Sequence, residues 1–188
     1  YSDQEIELVM NTNVNGVFQI TMAALPLLRK SKRGKVINIS SSSGLVAMPT
    51  ASIYAASKHA IEGWSEALSY ELAPFGIRVS CVEPQTYQTE MLGRNLKITK
   101  GKDNKNSVYN QFYKPLLNKI LSRKKIGRNP LEVVKKVEYI ITKKHPKLRY
   151  LVGPNTLLKY YLKRFLPFEI FQKILKIIFL KIIFKKQP

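Results

Sequence analysis

The chain has few of the residues that usually build metal centres or covalent cross-links. It contains one cysteine and two histidines in 188 residues, so an internal disulfide is excluded and the thiol fits, weakly, a reducing compartment. His59 and His145 show no spacing typical of zinc ligands or of a nucleophilic triad, and we predict no metal site. Cys81 stands in an apolar run, Arg78–Glu83, which predicts a buried and inert thiol.

Signals for export or for spanning a membrane are also missing. The sequence begins with Tyr1, and no signal-peptide pattern follows it. The apolar tail, residues 168–186, carries Lys173, Lys176 and Lys181 and makes a poor membrane span. Two interpretations of the tail stay open: an amphipathic helix in a membrane surface, or a helix packed on the core or on a subunit. We expect a cytoplasmic protein, with peripheral membrane contact as an option.

Acidic residues are scarce in the second half of the chain. Residues 1–92 hold 7 Lys and Arg against 8 Asp and Glu, whereas residues 93–188 hold 25 against 4. Such a basic half can face an anionic membrane or nucleic acid, or it can consist only of solvated lysine-rich faces. The basic residues form no recognisable nucleic-acid reader motif, so we predict no nucleic-acid partner.

Apolar periodicity predicts helices alternating with short strands. The predicted elements are, in chain order, helix 3–30, strand 35–40, helix 51–73, strand 77–82, a helix near 108–123, helix 131–143 and strand 150–152. Asp3 is the predicted N-cap of the first helix, in which three asparagines between residues 11 and 15 are poor helix formers. The strand–helix–strand order implies a right-handed parallel crossover, and hence an α/β fold.

The second predicted helix, residues 51–73, has an apolar stripe at helical spacing. Its members are Ile53, Ala56, Ala60, Ile61, Trp64, Leu68 and Leu72. We expect this stripe to be the face that packs on the sheet.

Three side chains suited to proton transfer converge at one edge of the predicted sheet. In an open parallel sheet, ligands bind beyond the carboxyl ends of the strands. Ser41 leaves the first strand at that edge, and Tyr54 and Lys58 lie four residues apart on one face of the helix that starts there. An adjacent ammonium favours the phenolate, and a hydroxyl can hydrogen-bond a substrate oxygen. This set can pass a proton to or from a carbonyl–alcohol pair.

Further short segments stand in a fixed order around these residues. They are Asn11-Thr-Asn13-Val-Asn-Gly16, Gly34-Lys-Val-Ile-Asn-Ile-Ser-Ser41, Tyr54-Ala-Ala-Ser-Lys58, Tyr70-Glu-Leu-Ala, Gly76-Ile-Arg-Val and Glu83-Pro84 with Thr89. Together they closely resemble the short-chain dehydrogenase/reductase family, without a gap from about residue 3 to residue 92. Residues 149–153 are similar to the family's last strand.

The resemblance implies catalytic roles for four residues. Tyr54 resembles the family's acid/base, and Lys58 the lysine that lowers the pKa of that tyrosine and binds the nicotinamide ribose. Ser41 resembles the serine that binds and orients the substrate carbonyl, although the run Ser40–Ser43 leaves an ambiguity of one residue. Asn13 resembles the asparagine that holds a water in the proton relay.

The resemblance also implies a nicotinamide cofactor, NAD or NADP. Besides Tyr54 and Lys58, its contacts would come from the segment after the second strand, at Pro84, Tyr87 and Thr89, the last two holding the carboxamide. The family usually has glycine after the proline where this chain has Gln85, and glycine allows the backbone to approach the cofactor closely.

Two parts of the family's cofactor site are not found in the sequence. They are the glycine-rich phosphate loop and the residue that reads the adenosine ribose. We therefore expect an incomplete Rossmann-like, doubly wound parallel sheet, whose N-terminal strands and glycine-rich loop would lie upstream of Tyr1.

These expectations divide the chain after residue 154. Residues 1–154 are predicted to be a partial NAD(P)-binding Rossmann domain, with a substrate lid in residues 93–130, and residues 155–188 a basic amphipathic extension. The predicted function is an oxidoreductase, as a homo-oligomer, that transfers a hydride between NAD(P)(H) and an alcohol or ketone on a hydrophobic small molecule. The alternative is a truncated or degenerate relative that binds a membrane surface or a protein through its basic half.

Overall fold

A computed structural model of the chain describes residues 1–92, 101, 106–109, 115 and 127–184. Its main elements are α1 (Asp3–Met10), a π-helical turn (Asn11–Asn15), α2 (Gly16–Lys30), β1 (Lys35–Ile39), α3 (Ser52–Leu72), β2 (Arg78–Pro84), α4 (Leu131–Thr142), β3 (Arg149–Val152), α5 (Pro154–Phe165) and α6 (Phe168–Phe184). The helix predicted near residues 108–123 and the predicted lid lie largely outside the described residues.

The three described strands form one parallel sheet in the order β1-β2-β3. Residues 35–39 pair in register with residues 78–82, and residues 81–84 pair with residues 149–152. Helices α2 and α3 cover one face of this sheet and α4 covers the other. Helices on both faces of parallel strands confirm the Rossmann-like α/β fold.

Two apolar clusters hold the helices to the sheet. The cluster under α2 and α3 consists of Leu25, Val36, Leu68, Leu72, Ile77 and Val79. The cluster under α4 consists of Val82, Tyr87, Ile140, Tyr150 and Val152. Because side chains alternate between the two faces of a strand, β2 contributes to both clusters. The carboxyl edge of the sheet is therefore held between the two layers of helices.

The N-terminal helical run is continuous over the predicted length, but its details differ. Ser2 rather than Asp3 is the N-cap: its hydroxyl accepts from the Glu5 N–H at 3.3 Å, and the Glu5 carboxylate accepts from the Ser2 N–H at 2.8 Å. A serine paired with a glutamate three residues later is a capping box, which the prediction overlooked. The asparagine-rich stretch adopts a π-helical turn, a widening often found at functional sites.

Helix α3 buries only part of the predicted stripe, Ile61, Leu68 and Leu72. Ala56 is exposed and three other members of the predicted stripe are only half-buried. The buried residues are Ala55, Ser57, Ile61, Glu62, Ser65, Leu68 and Leu72. From its first turn to Ser65 the helix therefore presents mostly small and polar side chains to the sheet, where β1 and β2 also carry polar groups. The Asn38 amide, for example, donates to the Ser65 hydroxyl at 2.8 Å.

Helix α5, which the sequence reading missed, follows β3 directly. Pro154 occupies its first turn, where a missing N–H costs nothing, and Lys163 and Arg164 occupy its last turn. A third apolar cluster joins α5 and α6 to the segment after β1; its buried members are Leu45, Val46 and Phe171. In the described part of the chain, none of the helices combines the length and the apolar character needed to cross a bilayer.

Candidate functional site

The serine turn after β1 is pressed against α3. Ser41 caps the short 3-10 helix Ser42–Gly44, its hydroxyl accepting from the Ser43 N–H at 3.1 Å. A Cβ on Gly44 would lie 3.0 Å from the Lys58 carbonyl oxygen, closer than nearly all real contacts. Glycine at this position thus lets the turn approach α3 and holds the buried Ser41 beside the first turns of that helix.

Tyr54 and Ser41 face each other across this contact. Burial raises the pKa of Tyr54 above its ordinary value, and the Ser41 hydroxyl lowers it in part. The phenol is therefore protonated at neutral pH, as a proton donor must be.

Lys58 lies on the same side of α3 as Tyr54. Its ammonium is 5.8 Å from the centre of the Tyr54 ring and donates to the Ile39 carbonyl oxygen, at the end of β1, at 3.0 Å. Burial lowers the pKa of Lys58, while Cys81 and Glu62 raise it. The ammonium thus stands at the carboxyl edge of the sheet, between the strand end and the phenol.

Asn13 reaches α3 from the π-helical turn. Its side-chain amide donates to the Ser57 hydroxyl at 3.1 Å, and that hydroxyl donates to the Tyr54 carbonyl oxygen at 2.7 Å. Asn13 therefore contacts the backbone of the tyrosine's turn through one intermediary. Sequence reasoning missed Ser57, the fully buried serine within Tyr54-Ala-Ala-Ser57-Lys58, although a serine beside two catalytic candidates was an available signal.

The segment after β2 carries the remaining predicted residues. Pro84 ends the strand. The side chain of Gln85 turns toward the start of α5, where it accepts from the Asn155 N–H at 3.0 Å. It fills the space beside Gly153, whose φ of +96° and lack of a Cβ make room for it. The side chain that replaces the family's glycine thus has its own place in the fold.

Tyr87 and Thr89 take opposite environments. Tyr87 is buried, its phenol donates to the Glu132 carboxylate at 2.7 Å, and its backbone bridges to Arg128. Burial is the main cause that raises the pKa of Tyr87, which keeps the phenol neutral. Thr89 is exposed beside it. The Tyr87 side chain is therefore committed to the core, and only its backbone is left for a cofactor contact.

A buried ionic cluster, which sequence reasoning also missed, lies between α3 and the sheet. The Arg149 guanidinium pairs with Glu62, with Glu66 at 3.1 Å and with Glu83 at 3.2 Å. The Cys81 thiol donates to Glu62 at 3.4 Å, and burial strongly raises the pKa of that thiol. Glu62, Cys81 and Glu83 have the donor atoms of a metal site within 4.8 Å of one another. Arg149 already supplies the positive charge there, and the thiol stays protonated, so the cluster does not fit a metal ion.

The stability of the fold should fall as pH rises through the titration of Glu83. Burial, and next the neighbouring Glu62 charge, raise the pKa of Glu83 from 4.5 to about 8. Between these values the folded protein holds a proton that the unfolded chain has lost, so the free energy of unfolding decreases with rising pH. We expect Glu83→Gln to flatten this slope in urea unfolding measured from pH 5 to pH 8. Glu71→Gln, an exposed control on α3, should keep it; equal slopes in wild type and Glu83→Gln would contradict this assignment.

The sequence profile described as short chain dehydrogenase matches residues 1–98 of the chain. The chain therefore belongs to the short-chain dehydrogenase family. This match contains all the candidate residues from Asn13 to Thr89 and confirms the resemblance read from the sequence.

Among the curated relatives, two are more than a third identical to the chain over the residues that align. An uncharacterized oxidoreductase of Bacillus subtilis (strain 168), YusZ, is 38% identical over 166 residues, which are 88% of this chain and 59% of that protein. A 3-ketodihydrosphingosine reductase of Bacteroides thetaiotaomicron is 37% identical over 154 residues, 81% of this chain and 56% of that protein. The chain thus spans somewhat more than half the length of these relatives.

Solved structures show the same fold. A short-chain dehydrogenase from Streptomyces avermitilis is 25% identical with a TM-score of 0.72 over 93% of this chain and 61% of that one. A short chain dehydrogenase from Burkholderia cenocepacia in complex with NADP aligns with a TM-score of 0.68 at 20% identity, over 93% of this chain and 60% of that one. A relative from Burkholderia phymatum in complex with NAD has the same TM-score and identity, over 87% of this chain and 59% of that one.

Proposed function

We propose that the chain is part of an oxidoreductase that transfers a hydride between NAD or NADP and an alcohol or ketone. The observation that carries this proposal is the grouping of Ser41, Tyr54 and Lys58 where β1 meets α3. Two hydroxyls and one ammonium at the carboxyl edge of a parallel sheet suit proton transfer to a carbonyl oxygen. Membership of the short-chain dehydrogenase family supports the same reading.

The donor set fits the nicotinamide half of the cofactor. Lys58 and Tyr54 present an ammonium and a phenol that can hydrogen-bond ribose hydroxyls, and the backbone of Tyr87 with the Thr89 hydroxyl would hold the carboxamide beyond Pro84. Bound there, the cofactor would supply or accept the hydride. The Gln85 side chain, anchored on Asn155, does not argue against this fit.

The protein's own side chains handle the proton. In reduction, protonated Tyr54 donates to the carbonyl oxygen, and the Ser41 hydroxyl hydrogen-bonds that oxygen as negative charge develops. Lys58 stabilises the phenolate left behind, since an ammonium nearby favours the charged form. Oxidation of the alcohol runs these proton steps in reverse.

A hydrophobic substrate is the finer part of the proposal. The relative from Bacteroides thetaiotaomicron is, by name, a reductase of 3-ketodihydrosphingosine. A mouse relative, 31% identical over 162 residues, is named 17-beta-hydroxysteroid dehydrogenase type 6. Both names specify a keto or hydroxy group on a lipid, which is the class of substrate we propose.

The test is nicotinamide binding and turnover by the protein expressed from its full reading frame. We expect quenching of tryptophan fluorescence by NADH or NADPH, and oxidation of one of them in the presence of long-chain or steroid ketones. Neither binding nor turnover with either nicotinamide would overturn the proposal and favour the non-catalytic alternative, a membrane- or protein-binding relative.

Substitutions at Asn13 and Ser57 should distinguish a role of Asn13 in proton transfer from a role in anchoring the turn. If Asn13 takes part in the proton relay, Asn13→Ala should lower kcat about 10- to 100-fold, whereas Ser57→Ala should lower it much less. Each substitution removes the same hydrogen bond between the two side chains, at a cost of about 1 kcal/mol. Stopped-flow rates and urea unfolding midpoints of both variants measure the loss of activity and the loss of stability. Equal losses of rate in the two variants would show that Asn13 only anchors the turn.

A further inference from the structure

A positively charged cavity lies at the β3 edge of the sheet, between α4 and α5. Its volume is about 410 Å³. Its charged lining residues are Lys136, Lys143, Lys147 and Arg149, three tyrosines complete its polar wall, and no carboxylate belongs to it. It shares no residue with the proposed catalytic site, so its chemistry needs a separate account.

The positive charge of this cavity comes from its lysines. Arg149 is neutralised by the carboxylates beneath it on α3 and β2. Within the residues that the structure describes, no ion pair joins Lys136, Lys143 or Lys147 to a carboxylate. Three like charges around one cavity repel each other, and an anion between them would relieve that repulsion.

The tyrosines of the cavity wall lie close to the lysine ammonium groups and are affected by their positive charge. The ammonium of Lys136 lies 5.5 Å from the centre of the Tyr139 ring and 5.9 Å from that of Tyr150. Lys143 donates a hydrogen bond to the Tyr139 hydroxyl, and this is the main cause that lowers the pKa of Tyr139. The cavity thus offers ammonium and phenol donors to a group that accepts hydrogen bonds and carries negative charge.

Helix α5 adds an exposed apolar face to the same opening. Leu157 and Tyr161 line the cavity, and the exposed apolar side chains continue along the helix from there. The fractional exposures are 40% for Leu157, 59% for Leu158, 49% for Tyr161, 39% for Leu162 and 74% for Phe165. Spacings of three and four residues put these side chains on one helix face, which leaves an apolar surface beside a basic cavity.

We propose that this cavity and the outer face of α5 bind the surface of an anionic membrane. The phosphate of a lipid head group would lie among Lys136, Lys143 and Lys147, and the apolar face of α5 would enter the boundary between head groups and acyl chains. A basic cavity next to exposed leucine and phenylalanine side chains matches a lipid, whose anionic and apolar parts are joined. A soluble anion would use only the cavity, and a nucleic acid would make no use of the aliphatic face.

Vesicle flotation with the protein expressed from its full reading frame tests this proposal, and needs no turnover. We expect flotation with vesicles of phosphatidylcholine plus phosphatidylglycerol, and little with phosphatidylcholine alone. The variant Lys136→Gln/Lys143→Gln/Lys147→Gln should lower the apparent affinity about 100-fold. The matched control Lys30→Gln/Lys32→Gln/Arg33→Gln, which removes three exposed charges around the end of α2, should lower it less than about threefold.

Two further variants separate charge from packing. Replacing the three cavity lysines by arginine should keep the binding, since the charge is retained. Leu158→Ser/Phe165→Ser should weaken binding at least about tenfold, since two apolar side chains no longer enter the bilayer. Circular dichroism confirms that each variant is folded.

The proposal is overturned by any of four results. The first is equal flotation with both kinds of vesicle, and the second is an equal loss of affinity in the two triple glutamine variants. The third is calorimetric binding of free inorganic phosphate without any binding to vesicles. The fourth is a Leu158→Ser/Phe165→Ser variant that binds vesicles as the wild type does but has lost a homo-oligomer in light scattering. The last result would assign the α5 face to a second copy of the chain.

Discussion

Tyr54→Phe is expected to lower kcat/KM of carbonyl reduction about 10³-fold, in the middle of the range for loss of a positioned general acid. The substitution removes only the phenolic hydroxyl, whose pKa is raised by burial and lowered in part by the Ser41 hydroxyl. Because the ring is retained, the packing of α3 should change little. Nicotinamide binding should weaken only by the one ribose hydrogen bond that the phenol would make, about 1 kcal/mol. Steady-state rates and fluorescence titration with NADH and NADPH measure both quantities.

Tyr70→Phe is the matched control for this prediction. Tyr70 lies on the same helix, is exposed, and its hydroxyl contacts only Glu66 at 3.4 Å within the described residues. Its loss should leave the rate unchanged within about twofold, as for surface substitutions away from a site. A Tyr54→Phe protein with wild-type turnover would remove the phenol from the proposed mechanism.

Arg149→Met is expected to cause a large loss of stability. Arg149 is the shared partner of Glu62, Glu66 and Glu83, of which Glu83 is fully buried. Removing one partner of a buried ion pair leaves an uncompensated charge and costs about 3–5 kcal/mol. Urea unfolding at pH 8, where Glu83 is more ionised than at pH 5, should show the larger loss.

Two further variants test whether the loss of stability is specific to the Arg149 cluster. Arg128→Met breaks the Arg128–Glu132 pair near the surface and should leave the urea midpoint nearly unchanged, as is usual for exposed pairs. Combining Arg149→Met with Glu83→Gln should recover part of the loss, since one buried carboxylate is then neutral. If Arg149→Met unfolds at the wild-type urea concentration, the cluster contributes nothing to the fold.

The elements with strong local signals were predictable from the sequence. The β-branched runs before Ser41 and Pro84 gave the strands β1 and β2, and the parallel sheet followed from the helix between them. The three asparagines marked an interruption, and the structure places a π-helical turn there. The four-residue spacing of Tyr54 and Lys58 indicated a pair on one helix face, and the family resemblance then implied their roles.

The other features of the fold and of the site depend on tertiary contacts that no local sequence pattern indicates. Hydrophobic spacing placed Ala56 in the core, whereas the helix buries Ser57 and Glu62 to meet partners far away in sequence. The apolar residues of α5 face outward, so their pattern does not mark a core helix. Burial of the Tyr54 phenol, which raises its pKa, likewise depends on the packed fold and not on the local sequence.

Hydride transfer from a labelled cofactor tests the central claim most directly. The protein from the full reading frame would be supplied with NADH or NADPH carrying deuterium at the transferring position, together with a long-chain ketone. Mass spectrometry should find one deuterium on the carbinol carbon of the product for each cofactor oxidised, and a far slower appearance of it with Tyr54→Phe. A product whose new hydrogen comes from solvent, or no alcohol from any ketone with either cofactor, would contradict the proposed oxidoreductase.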